Sequence, residues 1–277
     1  MRATASTPSL RILSGLGPTG ICRIKIRQIP GRATGFTLVE LAVVMFILAL
    51  LLSSLLVPLG TQVDQSNISA TQKSLNDVKE TLIGFGLANG RLPCPADPTI
   101  ATGQPNAGVE TTTCTGGAVN GVLPWATLGV NETDAWGRRY TYSVTASYAD
   151  AIPANTFTPP VTCTPTPPPT QSSFALCSQG SIIVTDGSSN IATQIPAVVV
   201  SHGKDGYGAY TSLGTQLSTT GAGSDELKNS DADVTFTFVS RPYTDNPAAT
   251  GGAFDDIVVW ITPNILLNRM VAAGKLP

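Results

Sequence analysis

The sequence predicts an α+β protein in which one long N-terminal helix packs on a head built around a mainly antiparallel sheet. Three observations lead there. An apolar run at 36–59 passes into an amphipathic stripe that ends near residue 88. Short β-branched runs bounded by Gly and Pro follow it. The chain is only 12% charged and holds 27 Gly and 21 Pro, the balance of a loop-rich exported domain rather than a helical cytosolic enzyme.

The helix comes first. Residues 36–59 read FTLVELAVVMFILALLLSSLLVPL, with a single charge at Glu40. A run of about 24 residues is long enough to cross the hydrocarbon core, so 36–60 is expected to be a transmembrane helix. Pro58 permits a bend near its end. Residues 1–35 carry Arg2, Arg11, Arg23, Lys25, Arg27 and Arg32 and no acidic residue. The positive-inside rule keeps that segment cytoplasmic and sends the bulk of the chain across the inner membrane. No small-residue cleavage site stands where the apolar run ends, so an ordinary secretory signal is not indicated. Beyond it Ile68, Leu75, Val78, Leu82 and Phe85 recur at helical spacing, which predicts an amphipathic continuation over 61–90 that Asn89-Gly90 stops.

The head, 91–277, reads as one domain with no internal repeat. A loop-rich connection occupies 91–122. Strands are expected at 134–145, 181–184, 197–201, around Phe236 and Phe238, and at 257–261, with a short terminal helix over 264–274. Residues 151–172 include VTCTPTPPPT, a Pro/Thr-rich insertion unsuited to a central strand. Trp125 and Trp136 are expected as core or interface aromatics. Cys94, Cys114, Cys163 and Cys177 are an even set in an exported domain and read as two disulfides; three connectivities are open, and the nearest-neighbour pairs Cys94–Cys114 and Cys163–Cys177 are the expectation.

Chemistry is sparse. There is one histidine, His202, and neither G-x-S-x-G nor H-E-x-x-H, no Walker loop and no dinucleotide fingerprint, so no enzyme is expected. Without residues 1–35, ten basic residues face 18 acidic ones, a formal −8, so no nucleic-acid site is evident. The loop SHGKDGYG at 201–208 can turn tightly and expose oxygen donors. With Asp225, Glu226, Asp231 and Asp233 downstream it suggests a calcium site, for which Asp205, Asp231 and Asp233 are the expected ligands and Asp255-Asp256 the alternative acidic partners.

The hexapeptide Gly35-Phe36-Thr37-Leu38-Val39-Glu40 resembles the processing site of type IV prepilins and type II secretion pseudopilins. The resemblance implies that a prepilin peptidase cuts between Gly35 and Phe36, removes residues 1–35 as a basic leader and leaves the Phe36 amine to be N-methylated. It further implies that Glu40 pairs with the Phe36 amine of a neighbouring subunit during assembly, a reason for a carboxylate in an apolar helix. The segment DAWGRRYTY at 134–142 and the SHGKDG loop are similar to major pseudopilins, which carry a calcium site near such a loop. The implied protein is a structural subunit of a secretion pseudopilus or pilus-like filament. Its partners are related pilin subunits, the inner-membrane assembly platform and that platform's ATPase. The alternative is a minor pilin whose head binds a surface, a cargo or DNA at a filament tip.

Overall fold

The computed structural model describes residues 37–112, 114, 117–150, 171–230 and 236–276, with the side chains of 52–59 outside the description. The chain divides into two compact units, Met1–Leu55 and Leu56–Pro277. Helix α1 runs Leu38–Asn89 and includes Pro58. It begins with Thr37 as its N-cap: the Thr37 hydroxyl accepts the Glu40 amide at 3.2 Å, and the Thr37 carbonyl accepts the Leu41 amide. It ends where Gly90 takes φ 72°, a left-handed stop that glycine adopts without strain.

In the first unit the described side chains of α1 are exposed and, apart from Glu40, apolar, among them Leu38 at 86% and Phe46 at 66%. An uncovered apolar surface of this size marks an assembly or membrane face. Among the described residues no helix is long and apolar enough to cross a membrane. The transmembrane reading of 36–60 therefore stays an expectation carried by the sequence, because the side chains of 52–59 are not described.

The second unit is α+β and layered. Strands β1 (Ala118–Val122), β2 (Thr141–Thr145), β5 (Ala197–Ser201) and β7 (Ile257–Ile261) form an antiparallel sheet in the order β1-β2-β5-β7. A second sheet, in the order β4-β3-β6, comprises β3 (Ile182–Thr185), β4 (Asn190–Ile195) and β6 (Thr237–Val239). There β3 and β4 are antiparallel, while β3 and β6 are parallel. Short helices α2 (Trp125–Leu128), α3 (Ala146–Ala149) and α4 (Ser224–Asn229) lie in the connections, and α5 (Pro263–Ala272) closes the chain.

The alternation of side chains explains the layers. Leu75, Val78, Leu82 and Ile83 of α1 share a core with Tyr142, Val144, Ala197, Val199 and Ile261 on one sheet face, and with Leu266 and Met270 of α5. From the other face Val198, Val200 and Val258 pack with Ile182, Val184 and Phe238 of the second sheet. β5 is thus buried on both sides, which is why it reads as an unbroken apolar run. Two expectations change. The head has seven strands in two sheets among its described residues, not about five in one, and the 91–122 connection ends in a strand, β1. Both added strands were masked by composition: β1 is AVNGV, with Asn and Gly inside it, and β4 is NIATQI, whose residues other than Ile195 are largely exposed.

Cys94 and Cys114 are joined in a disulfide. Cys177 is disulfide-bonded too. Cys163 and the 151–170 part of the insertion lie outside the described residues. Trp125 is buried under the Arg139 guanidinium, whose carbon sits 4.5 Å from the ring centre, a core role.

Candidate functional site

Two places are candidates for function. The first is the start of α1. Thr37-x-x-Glu40 fits the capping-box pattern, and the observed half of it is the Thr37 cap, which fixes where the helix begins. That signal was present in the sequence and the expectations above did not use it. Glu40 lies in the first helical turn and is exposed, where its charge complements the positive end of the helix dipole. Gly35 and Phe36 lie outside the described residues.

The second is a carboxylate cluster. Asp205, Glu226 and Asp255 each bring an oxygen within 4.8 Å of the others. They come from three elements: the loop after β5, helix α4, and the residue pair before β7. The loop is held tightly. Gly203 and Gly206 have φ 54° and 67°, and a Cβ on Gly203 would strike the Asp255 carbonyl while one on Gly206 would strike the Arg138 side chain. Arg138 donates to the Gly203 carbonyl. Asp134 organises that arginine's turn by accepting the amides of Trp136 and Arg138, and its other oxygen accepts the Ser201 hydroxyl at 2.7 Å. The similarity of DAWGRR to the pseudopilin segment thus falls on a turn that supports the loop.

Within the cluster the Asp205 amide donates to Asp255 Oδ2 at 2.7 Å, and one Glu226 oxygen, Oε2, accepts the Gly223 amide. The second oxygens, Glu226 Oε1 and Asp255 Oδ1, are buried with no hydrogen-bond partner. Burial first, and then the charges of Asp255 and Asp205, raise the Glu226 carboxyl above its usual range; burial and Asp205 do the same to Asp255. Beneath them Asp256 is raised well above its ordinary value by burial, and its Oδ2 accepts the Asn229 amide at 2.8 Å.

Three hard oxygen donors and two orphaned buried oxygens suit calcium, which prefers such ligands, and the residues fit that ion. The expected set changes accordingly. Asp205 converges with Glu226 and Asp255, while Asp231 and Asp233 lie outside the described residues. Glu226 and Asp255 were among the acidic residues the sequence offered, but spacing did not single them out, because the three donors meet only once β5, α4 and β7 are assembled.

His202 is fully buried, and burial lowers its pKa to about 4, with Arg138 adding to the effect, so the ring is neutral at pH 7. Its Nε2 shares a 2.8 Å hydrogen bond with the Thr141 hydroxyl, and its Nδ1 stands 3.8 Å from Asp256. Ser201 binds Asp134 instead of the imidazole. Ser201, His202 and Asp205 therefore form no proton relay.

Comparison with curated proteins and with solved structures gave no match. A family model described as the prokaryotic N-terminal methylation motif matches residues 31–56, which embrace Thr37, Glu40 and the opening turns of α1. The chain thus carries the prepilin-type signal of type IV pilins and pseudopilins, a group of structural rather than catalytic proteins.

Proposed function

We propose that this chain is a structural subunit of a type II secretion pseudopilus or a related type IV pilus-like filament. It is held in the inner membrane by α1, keeps that anchor when a prepilin peptidase cuts between Gly35 and Phe36, and leaves the bilayer on assembly. One observation carries the reading: the methylation motif opens a helix that passes from an exposed apolar stretch into the core of an α+β head. An anchor that is also the backbone of the fold lets one segment serve storage in lipid and packing among neighbours. The Thr37 cap leaves Glu40 in the first turn, where its carboxylate meets the Phe36 amine of an adjacent subunit and selects the register. Burial of either charge alone opposes any other alignment. On this reading the head lies in the periplasm, and an inner-membrane platform and its ATPase supply the work of assembly.

The mature protein isolated from its native cell is expected to begin at a singly methylated Phe36 and to sediment as a polymer, read by mass spectrometry of the N-terminal peptide and by centrifugation of sheared material. An uncut chain, or one that never polymerises, would refute the proposal. Deleting the gene separates the two filament classes. Loss of enzyme secretion marks a pseudopilus; loss of adhesion or twitching with secretion intact marks a pilus.

Within this reading Asp205, Glu226 and Asp255 hold a structural calcium ion, which neutralises three carboxylates that otherwise repel one another. Millimolar calcium is expected to raise the melting temperature of the detergent-solubilised chain, and Glu226→Gln to remove most of that rise. An unchanged melting curve of the wild-type chain would exclude the ion.

A further inference from the structure

The basic side chains of the head are engaged from within: each one from Arg91 to Lys275 reaches an acceptor of its own chain. Lys73 and Lys79, both on α1, are the described exceptions, and Lys73 is exposed. Lys73 stands on the rim of a groove of about 370 Å³ between α1 and the loop after α2, lined by Ala70, Lys73, Ser74, Asp77, Val78 and Asn131. Its floor includes the buried Val78, and its rim offers one cation and, a helical turn along, one anion.

The head carries a shape and charge that match. Tyr243 is 63% exposed, an unusual site for an aromatic ring on a charged surface. Partial burial and then Asp245 raise its phenol above the ordinary value, with Asp255 and Asp205 contributing, so the ring stands among carboxylates. Asp245 is exposed and makes no hydrogen bond or ion pair among the described residues. The patch also has a level on the helix: the Thr244 amide donates to the Phe254 carbonyl, beside Asp255, whose Oδ2 accepts the Asp205 amide, and the neighbouring Lys204 pairs with Asp64 of α1 at 2.7 Å. Lys73 lies nine residues further on, about 14 Å along the axis at 1.5 Å per residue, so the patch and groove of one copy stand at different heights.

We propose that Tyr243 of one copy seats in the Lys73–Asp77 groove of a second, parallel copy displaced by about 14 Å along α1, with Lys73 pairing to Asp245 and the Tyr243 hydroxyl donating to Asp77. This rests on the filament reading and adds to it a contact between head and helix that sets the axial step. The opposite charges sit at the rim, where they choose partner and register, while the ring supplies buried apolar area.

The test uses the full chain in a cell that assembles it. Lys73→Glu and Asp245→Lys are each expected to lower the sedimentable polymer at least about fivefold, and the two together to restore it to at least about half of wild type. Polymer unaffected by either single reversal, or a double reversal no better than the singles, would overturn the contact. As a second measurement, the K73C/D245C chain is expected to give disulfide-linked oligomers on mild oxidation. Monomers alone, from a chain that still polymerises, count against the contact even if the reversed chains misfold. If the wild-type chain yields no polymer at all, the filament reading itself falls, a result distinct from polymer that ignores the charge reversals.

Discussion

A neutral imidazole sealed into a head is sensitive to acid. His202 has its pKa lowered to about 4 in the folded state, whereas in the unfolded chain it titrates near the usual 6.5. Between those values the unfolded chain binds the additional proton, so the stability that depends on the neutral ring is complete above about pH 6.5 and is lost as pH falls toward 4. The expected loss is roughly 3 kcal/mol. Glu226, Asp255 and Asp256 act in the opposite sense: their raised pKa values make the folded state bind protons first, so acidification favours it. The contribution of the imidazole therefore appears as a difference. Stability of wild type minus that of His202→Gln, from denaturant titrations at pH 7 and pH 4.5, is expected to shrink on the acid side, and a pH-independent difference would contradict the assignment. At this scale Asp205 was legible, since a loop dense in glycine implies exposed oxygen donors. Glu226 was legible as one of several acidic donors and Asp255 as an alternative partner, but their selection was not. It depends on which carboxylates three separate elements bring together, and no spacing encodes it.

Elements were legible in proportion to how completely burial set their composition. The stripe Leu75, Val78, Leu82 identified the head-facing side of α1 because helical period and core contact coincide there. Leu82 is wholly buried, so Leu82→Ala is expected to cost about 3 kcal/mol, measured as a shift of the denaturant midpoint at constant slope. β5, apolar on both faces, was equally plain, whereas β4 lies at a sheet edge with its side chains mostly in solvent and so lacks the pattern that marks a strand. Turn chemistry at Asn89-Gly90 fixed the end of α1 within a residue. The connection between α1 and β1 is secured by covalent and ionic means together. Arg91 and Glu110 form a two-pronged salt bridge, and Cys94–Cys114 closes the same segment over a sequence separation of 20. Replacing Cys94 by Ser should cost about 3 kcal/mol and lower the melting temperature, with no further drop when reductant is added unless the bond at Cys177 is also opened.

For the head as a whole, the layers dictate an order of opening. The four-stranded sheet is covered by α1 and α5 on one side and by the second sheet on the other, while β4 borders solvent. Amide exchange is expected to be slowest in Ala197–Ser201 and fastest, among the strands, in Asn190–Ile195; a β4 as protected as β5 would mean that the second sheet is covered by something else. The general α+β architecture was readable from periodicity, but its division into two sheets was not. The pairing of β3 with β6, parallel and far apart in sequence, leaves no local trace. The same burial of β5 bears on recognition. The loop that bears Asp205 grows out of the strand least able to open, pinned by Arg138 at one carbonyl and by Asp255 at one amide. Its conformational entropy is lost when the head folds, before any ion arrives. A cation would meet a rigid receptor, and its binding rate would be limited by shedding water rather than by rearrangement of the chain.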